Sequence, residues 1–268
     1  MLITRVITAL ILIPLVLAAL FWLGTPGWAV FAAVVTGLGG WEWGALSGYR
    51  MPARVGLGLL VAVLVFFLAP GDQFVFHAPW LWPVLVAAGV FWVIVAPLWL
   101  RARWSLRNTL LKGALPGVLL LVAAGLALIT LRAQAGAVAL LAIMAVAWVA
   151  DTAAYFSGKA FGKHKLAPAI SPGKTWEGVA GAMLGITVYT LVLSQVTNLE
   201  IWKLVVAGWL LTAVSIVGDL MESLFKRQAG LKDSSQLLPG HGGVLDRVDS
   251  LLAILPLAAL FWSWLIQH

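Results

Sequence analysis

The sequence predicts an all-α polytopic membrane protein, on three observations: its apolar composition, the spacing of its apolar runs, and the one-sided placement of its lysines and arginines. Of 268 residues, 62% are hydrophobic and only 10% charged, with a mean hydropathy of +1.02. A soluble domain carries roughly 25% charged residues, so an ordinary soluble fold is excluded. Crossing the hydrocarbon takes roughly 17–25 apolar residues, and about nine runs approach or reach that length. They lie at 7–23, 28–47, 55–69, 80–100, 113–131, 137–157, 176–196, 202–221 and 251–267.

Each run has its own justification. The first follows Arg5 and resembles a secretory leader, but it leads through Gly24-Thr25-Pro26-Gly27 straight into a second apolar run without a small-residue cleavage site, so it reads as a retained helix. The third is the shortest. The seventh carries Gly178, Gly181 and Gly185, the spacing of a small-residue helix-packing face. Trp22, Trp28, Trp80, Trp202 and Trp262 stand at run ends, where indole rings anchor helices at the lipid headgroups.

Orientation follows from the basic residues. With the N-terminus inside, one side holds Arg5, Arg50, Arg54, Arg101, Arg103, Arg107, Lys112, Lys159, Lys163, Lys165, Lys174, Lys226, Arg227, Lys232 and Arg247, leaving only Arg132 and Lys203 opposite. Cytoplasmic loops carry such an excess, which puts the N-terminus in the cytoplasm and the C-terminus, His268, outside. The pI near 10.1 is thereby assigned to topology, and nucleic acid is not expected as a partner. With no cysteine, disulfides and thiolate metal sites are excluded. Two regions follow: residues 1–135 with about five spans, and a catalytic region 136–268 with cytoplasmic loops at 158–175 and 223–250.

Ionisable groups inside apolar runs are costly and mark function. Glu42, between Trp41 and Trp43, is expected to pair with Arg50 or Arg54. Asp151 lies deep in the sixth run with no basic neighbour in sequence. The densest chemistry spans 219–250, where Asp219, Glu222, Asp233, Asp246 and Asp249 stand beside Lys226, Arg227, Lys232 and Arg247. A glycine-rich turn, Gly240-His241-Gly242-Gly243, lies among them. Oxygen ligands hold Mg²⁺, which keeps waters and bridges to substrate phosphates; fixed cations and close backbone N–H groups hold the phosphates. A continuing eighth helix places Asp219, Glu222, Ser223 and Lys226 on one face, and the first turn of the ninth does the same for Asp246 and Asp249. Upstream, Ser171, Lys174 and Thr175 precede a helix start, the ingredients of an anion site. His241 has no second histidine at ligand spacing, so zinc is not expected.

These residues resemble the phosphatidate cytidylyltransferase (CDP-diacylglycerol synthase) family. Ser223, Lys226, Arg227, Lys232, Asp233, Pro239, His241, Gly242, Gly243, Asp246, Arg247 and Asp249 all fall in register with its signature. Two upstream segments, 151–155 and 171–178, also look like family segments, although the family often has Lys where this chain has Gly173. The resemblance implies cytidylyl transfer from CTP to phosphatidic acid for phospholipid biosynthesis, Mg²⁺ dependence, a cytoplasmic-face site and a homodimer. On this reading Asp219 and Asp246 hold Mg²⁺, with Asp249, Lys226 and Arg227 catalytic. Ser171, Lys174, Thr175, Ser223, Lys232, His241, Gly242, Gly243 and Arg247 bind substrate. The absence of a long soluble extension points to a bacterial inner membrane. Two other readings are a different Mg²⁺-dependent transferase acting on lipid or polyprenyl phosphates, and an ion-coupled transporter.

Overall fold

The computed structural model describes residues 2–69, 79–106 and 109–266; Arg107, the end of the ninth run at 267 and His268 lie outside them. The chain is a bundle of helices: α1 (Leu2–Trp22), α2 (Thr25–Leu46), α3 (Met51–Phe67), α4 (Leu81–Val90), α5 (Ala96–Ala102), α6 (Leu115–Phe161), α7 (Trp176–Val196), α8 (Ile201–Gln228) and α9 (Leu245–Ile266). A π-helical turn at Phe91–Val95 joins α4 to α5, and another at Leu110–Ala114 opens α6. Among the described residues six stretches are long and apolar enough to cross a membrane by length and composition, and Met51–Phe67 is apolar but shorter.

One stretch, Leu110–Phe161, runs 52 residues. At 1.5 Å per residue it is far longer than a hydrocarbon core of roughly 30 Å. Gly136 breaks it, with φ 82° and ψ 169°, between the runs expected at 113–131 and 137–157. That backbone region is essentially open to glycine alone. The first half of α6 packs on α2, where Trp43 Nε1 donates to the Gly113 carbonyl at 2.8 Å and Trp28 Nε1 to that of Leu128 at 3.2 Å. The second half packs on α7, where a Cβ at Gly178 would lie 3.1 Å from the Ala154 carbonyl and one at Gly185 2.6 Å from the Ala153 Cβ. The glycine face of α7 is therefore a close helix contact, as its spacing predicts.

Three expectations need correction. Trp28 is buried, stacked on Phe31 beneath the Arg132 guanidinium, so it is a packing residue rather than an interfacial anchor. The expected loop 158–175 contains a β-hairpin, β1 (Lys165–Ala167) antiparallel to β2 (Ser171–Thr175), with Lys165 opposite Thr175. The expected loop 223–250 is shorter than hydropathy suggests, because α8 continues to Gln228 and α9 already begins at Leu245. Helices need not stop where apolar residues do: Lys226 pairs with Glu222 one turn earlier on α8.

The structure gathers one set of helix ends. Thr8 Oγ1 on α1 donates to the Pro239 carbonyl at 2.7 Å, and Gln228 Nε2 at the end of α8 donates to the Trp104 carbonyl at 3.0 Å. Lys174 of β2 reaches Asp219 of α8. At the opposite end Arg132 donates to the carbonyls of Leu20 and Leu23, capping α1. The core between consists of aliphatic side chains such as Leu120, Leu121, Leu126 and Ile129 from α6 and Ala253, Ile254 and Ala259 from α9.

Candidate active site

α8 and α9 run side by side where Gly218 lets the backbone of Asp249 approach; a Cβ at Gly218 would lie 2.8 Å from the Asp249 carbonyl. That contact brings the acidic residues of both helices together. Lys226 on α8 lies between two carboxylates, its Nζ 2.6 Å from Glu222 Oε2 and 2.7 Å from Asp246 Oδ1. All three side chains are largely buried, so the lysine offsets charge where water does so poorly.

Asp246 is held from both sides. Its Oδ2 accepts from Ser234 N at 2.9 Å, Ser234 Oγ at 2.9 Å and Gly243 N at 2.8 Å. It stands in the first turn of α9, ahead of the apolar stretch that begins at Leu251. Burial there opposes ionisation, but the hydrogen bonds from Lys226 and from the Gly243 and Ser234 backbone outweigh it and hold its carboxyl down at about 2.

A second group meets around Asp219. Lys174 Nζ is 2.5 Å from Asp219 Oδ2, while Oδ1 accepts only a long bond, 3.3 Å, from Ser223 Oγ. Asp151 and Asp249 are close enough to feel the charges of both Asp219 and Lys174. Three carboxylates around one lysine leave an excess of negative charge. Among the described residues no three His, Cys, Asp or Glu side chains converge closely enough to cage a cation by themselves. Mg²⁺ does not need such a cage, since it usually takes one or two carboxylates and fills its sphere with water and substrate phosphates. Asp219, with a weakly engaged oxygen beside two further carboxylates, fits that donor set.

The remaining expected site residues fall into two sets. Thr175 is buried and its Oγ1 accepts from Gly178 N at 3.1 Å, capping α7 and holding Lys174 at the strand end. Gly242 and Gly243 make room rather than merely bend: a Cβ at Gly242 would press on Asp246 Oδ2, and one at Gly243 on Ser234 and Glu42. His241 N donates to the Leu238 carbonyl at 2.8 Å, closing the turn. Ser171 is partly buried on β2, whereas Arg227, Lys232 and Arg247 are exposed around the 229–244 loop.

Glu42 is the residue that sequence reasoning placed wrongly. Arg54, one of its two expected partners with Arg50, instead lies over the Trp41 ring and donates to the Trp41 carbonyl at 3.4 Å. Glu42 is 0% exposed and accepts from Ser235 Oγ at 2.6 Å, Leu245 N at 2.6 Å, Val244 N at 2.9 Å and Ser234 Oγ at 3.3 Å. The signal was an acidic residue in an apolar run facing a loop rich in donors. Glu177 was also passed over; it accepts from His164 at 2.7 Å and ties the hairpin to α7.

An all-α membrane bundle with a largely buried carboxylate–lysine cluster at one end defines a membrane enzyme site for a charged substrate. The chain belongs to the Cytidylyltransferase family, which it matches over residues 3–265. It is 44% identical over 275 residues to a Pseudomonas aeruginosa protein named phosphatidate cytidylyltransferase, covering 97% of this chain and 96% of that one. Proteins of the same name are similar from Haemophilus influenzae, 36% identical over 98% of this chain and 99% of the relative, and from Brucella melitensis, 37% identical over 96% and 92%.

Proposed function

We propose that this chain is a phosphatidate cytidylyltransferase. It transfers the cytidylyl group of CTP to phosphatidic acid and forms CDP-diacylglycerol and pyrophosphate for phospholipid synthesis. The observation that carries this reading is likeness over nearly the whole chain to relatives of that name. The readings as another lipid-phosphate transferase or as a transporter have no such support.

A lipid phosphate is already an anion at neutral pH, so the reaction needs no strong base. Its oxygen bonds to the α-phosphorus of CTP as the bond to the β-phosphate oxygen breaks, and pyrophosphate leaves. The barrier is repulsion between anions, which fixed cations and positioning relieve. Asp219 and Asp246 would hold Mg²⁺, although Asp246 is at present paired with Lys226. When bound, Mg²⁺ offsets charge on the CTP phosphates. Lys174 fixes one oxygen of Asp219 and presents positive charge beside Ser171. Lys226 orients Asp246, while Asp249 completes the acidic group around Asp219. Exposed Arg227, Lys232 and Arg247 attract the triphosphate, Ser223 and His241 line its approach, and Gly242 and Gly243 serve it by shaping the turn that holds Asp246. The excess of basic residues on one side supports a site facing the cytoplasm of a bacterial inner membrane; Mg²⁺ and a homodimer follow from the family resemblance.

The test is product formation by purified protein in detergent with phosphatidic acid, Mg²⁺ and CTP, with ATP, GTP and UTP as competing donors. CTP-specific CDP-diacylglycerol, lost on adding EDTA, is expected. A folded preparation that makes none from this lipid would discard the assignment.

A further inference from the structure

A carboxylate buried among apolar helices is costly unless its oxygens are satisfied. Glu42 is satisfied from one source. Ser235 Oγ, Val244 N and Leu245 N each donate to it, and it shares with Asp246 the single hydroxyl proton of Ser234, whose shorter contact is to Asp246; all these donors belong to residues 234–245. Two of them, Val244 N and Leu245 N, sit at the start of α9, where backbone N–H groups have no partner within the helix. The positive end of α9 thus offsets the charge of Glu42, a cap supplied by a different helix.

The same loop holds Asp246. Ser234 Oγ lies 3.3 Å from Glu42 Oε2 and 2.9 Å from Asp246 Oδ2, and Gly243, next to Val244 in the chain, donates its N–H to Asp246. Gly243 is packed so tightly between Glu42 and Ser234 that a Cβ would meet both. We propose that Glu42 is a positioning residue of the transfer reaction. By capping α9 from α2 and sharing Ser234 with Asp246, it fixes the Asp246 carboxylate and, through it, Lys226. The kinetic part of this inference rests on the cytidylyltransferase reading; the structural part does not.

Glu42→Gln keeps the shape but turns an NH₂ group toward a donor. Two measurements on the full-length protein in detergent test the proposal: amide hydrogen exchange, and kcat and KM for CTP. Exchange at the amides of Ser234, Gly243, Val244 and Leu245 should quicken by about tenfold or more, with protection in the other helices retained. Turnover should fall by about tenfold with KM for CTP within roughly twofold of the wild type. Ser235→Ala, which removes one donor, should shift both readouts in the same direction by less, and it decides the matter should Glu42→Gln fail to fold. Unchanged loop exchange, a loosened loop with unchanged kcat, a rise in KM alone, or uniform loss of protection would each overturn the proposal. If the wild type formed no CDP-lipid, the reaction reading would fail, and loop exchange alone would decide whether Glu42 holds α9 and the residues around Asp246.

Discussion

Replacing Lys226 with methionine removes a cation that two buried carboxylates share. Its Nζ is 2.6 Å from Glu222 and 2.7 Å from Asp246, and the three side chains are 16%, 8% and 4% exposed. Breaking a buried ion pair by deleting one partner costs ~3–5 kcal/mol, because the other charge is stranded. The two carboxylates do not suffer equally. Asp246 keeps three donors on Oδ2, whereas Glu222 has no hydrogen bond besides the ion pair with Lys226 among the described residues. Most of the cost therefore falls on Glu222, and adding Glu222→Gln should recover ~1–3 kcal/mol of it. Thermal unfolding in detergent should show Lys226→Met lowered by roughly 6–20 °C, with the double variant in between. A single variant within ~0.5 kcal/mol of wild type, the scatter of ordinary surface changes, would refute this account of the pair. So would a double variant no more stable than the single.

Three further outcomes are expected. Asp219→Asn, which loses the charge that faces Lys174 and the cation, should cut product formation by about a hundredfold or more while the unfolding temperature stays near wild type; near-normal turnover would remove Asp219 from the metal assignment. Gly136→Ala has open space around it, so only its backbone at φ 82° is strained; a loss of ~1–3 kcal/mol is expected in the same unfolding assay. Because the Asp246 carboxyl is held at about 2 in the fold against about 4 in an unfolded chain, its contribution to stability is full above about pH 4 and lost as pH falls toward 2. Asp246→Asn should flatten that part of the urea-midpoint profile.

Much of this was legible in the sequence, for identifiable reasons. Membrane spans announce themselves through composition, and the lysine–arginine bias pairs their ends, so the gathering of Arg5, Lys174 and the 229–244 loop at one end could be anticipated. The shared face of Asp219, Glu222, Ser223 and Lys226 follows from helical periodicity, and α8 does continue through it. Long-range partners were not legible. Lys226 chose Asp246 as well as the neighbouring Glu222, and Glu42 chose donors about two hundred residues away over arginines a few residues off. Side-chain spacing along one helix says nothing about which loop folds over it. The β-hairpin at 165–175 was hidden because its strands are too short for alternation to register.

The most direct test of cytidylyl transfer follows the label from CTP in separate reactions with phosphatidic acid and Mg²⁺. Phosphorus label in the α position should appear in the lipid product, and label in the γ position only in released pyrophosphate. Label from the γ position in lipid, or none from the α position, would contradict the account.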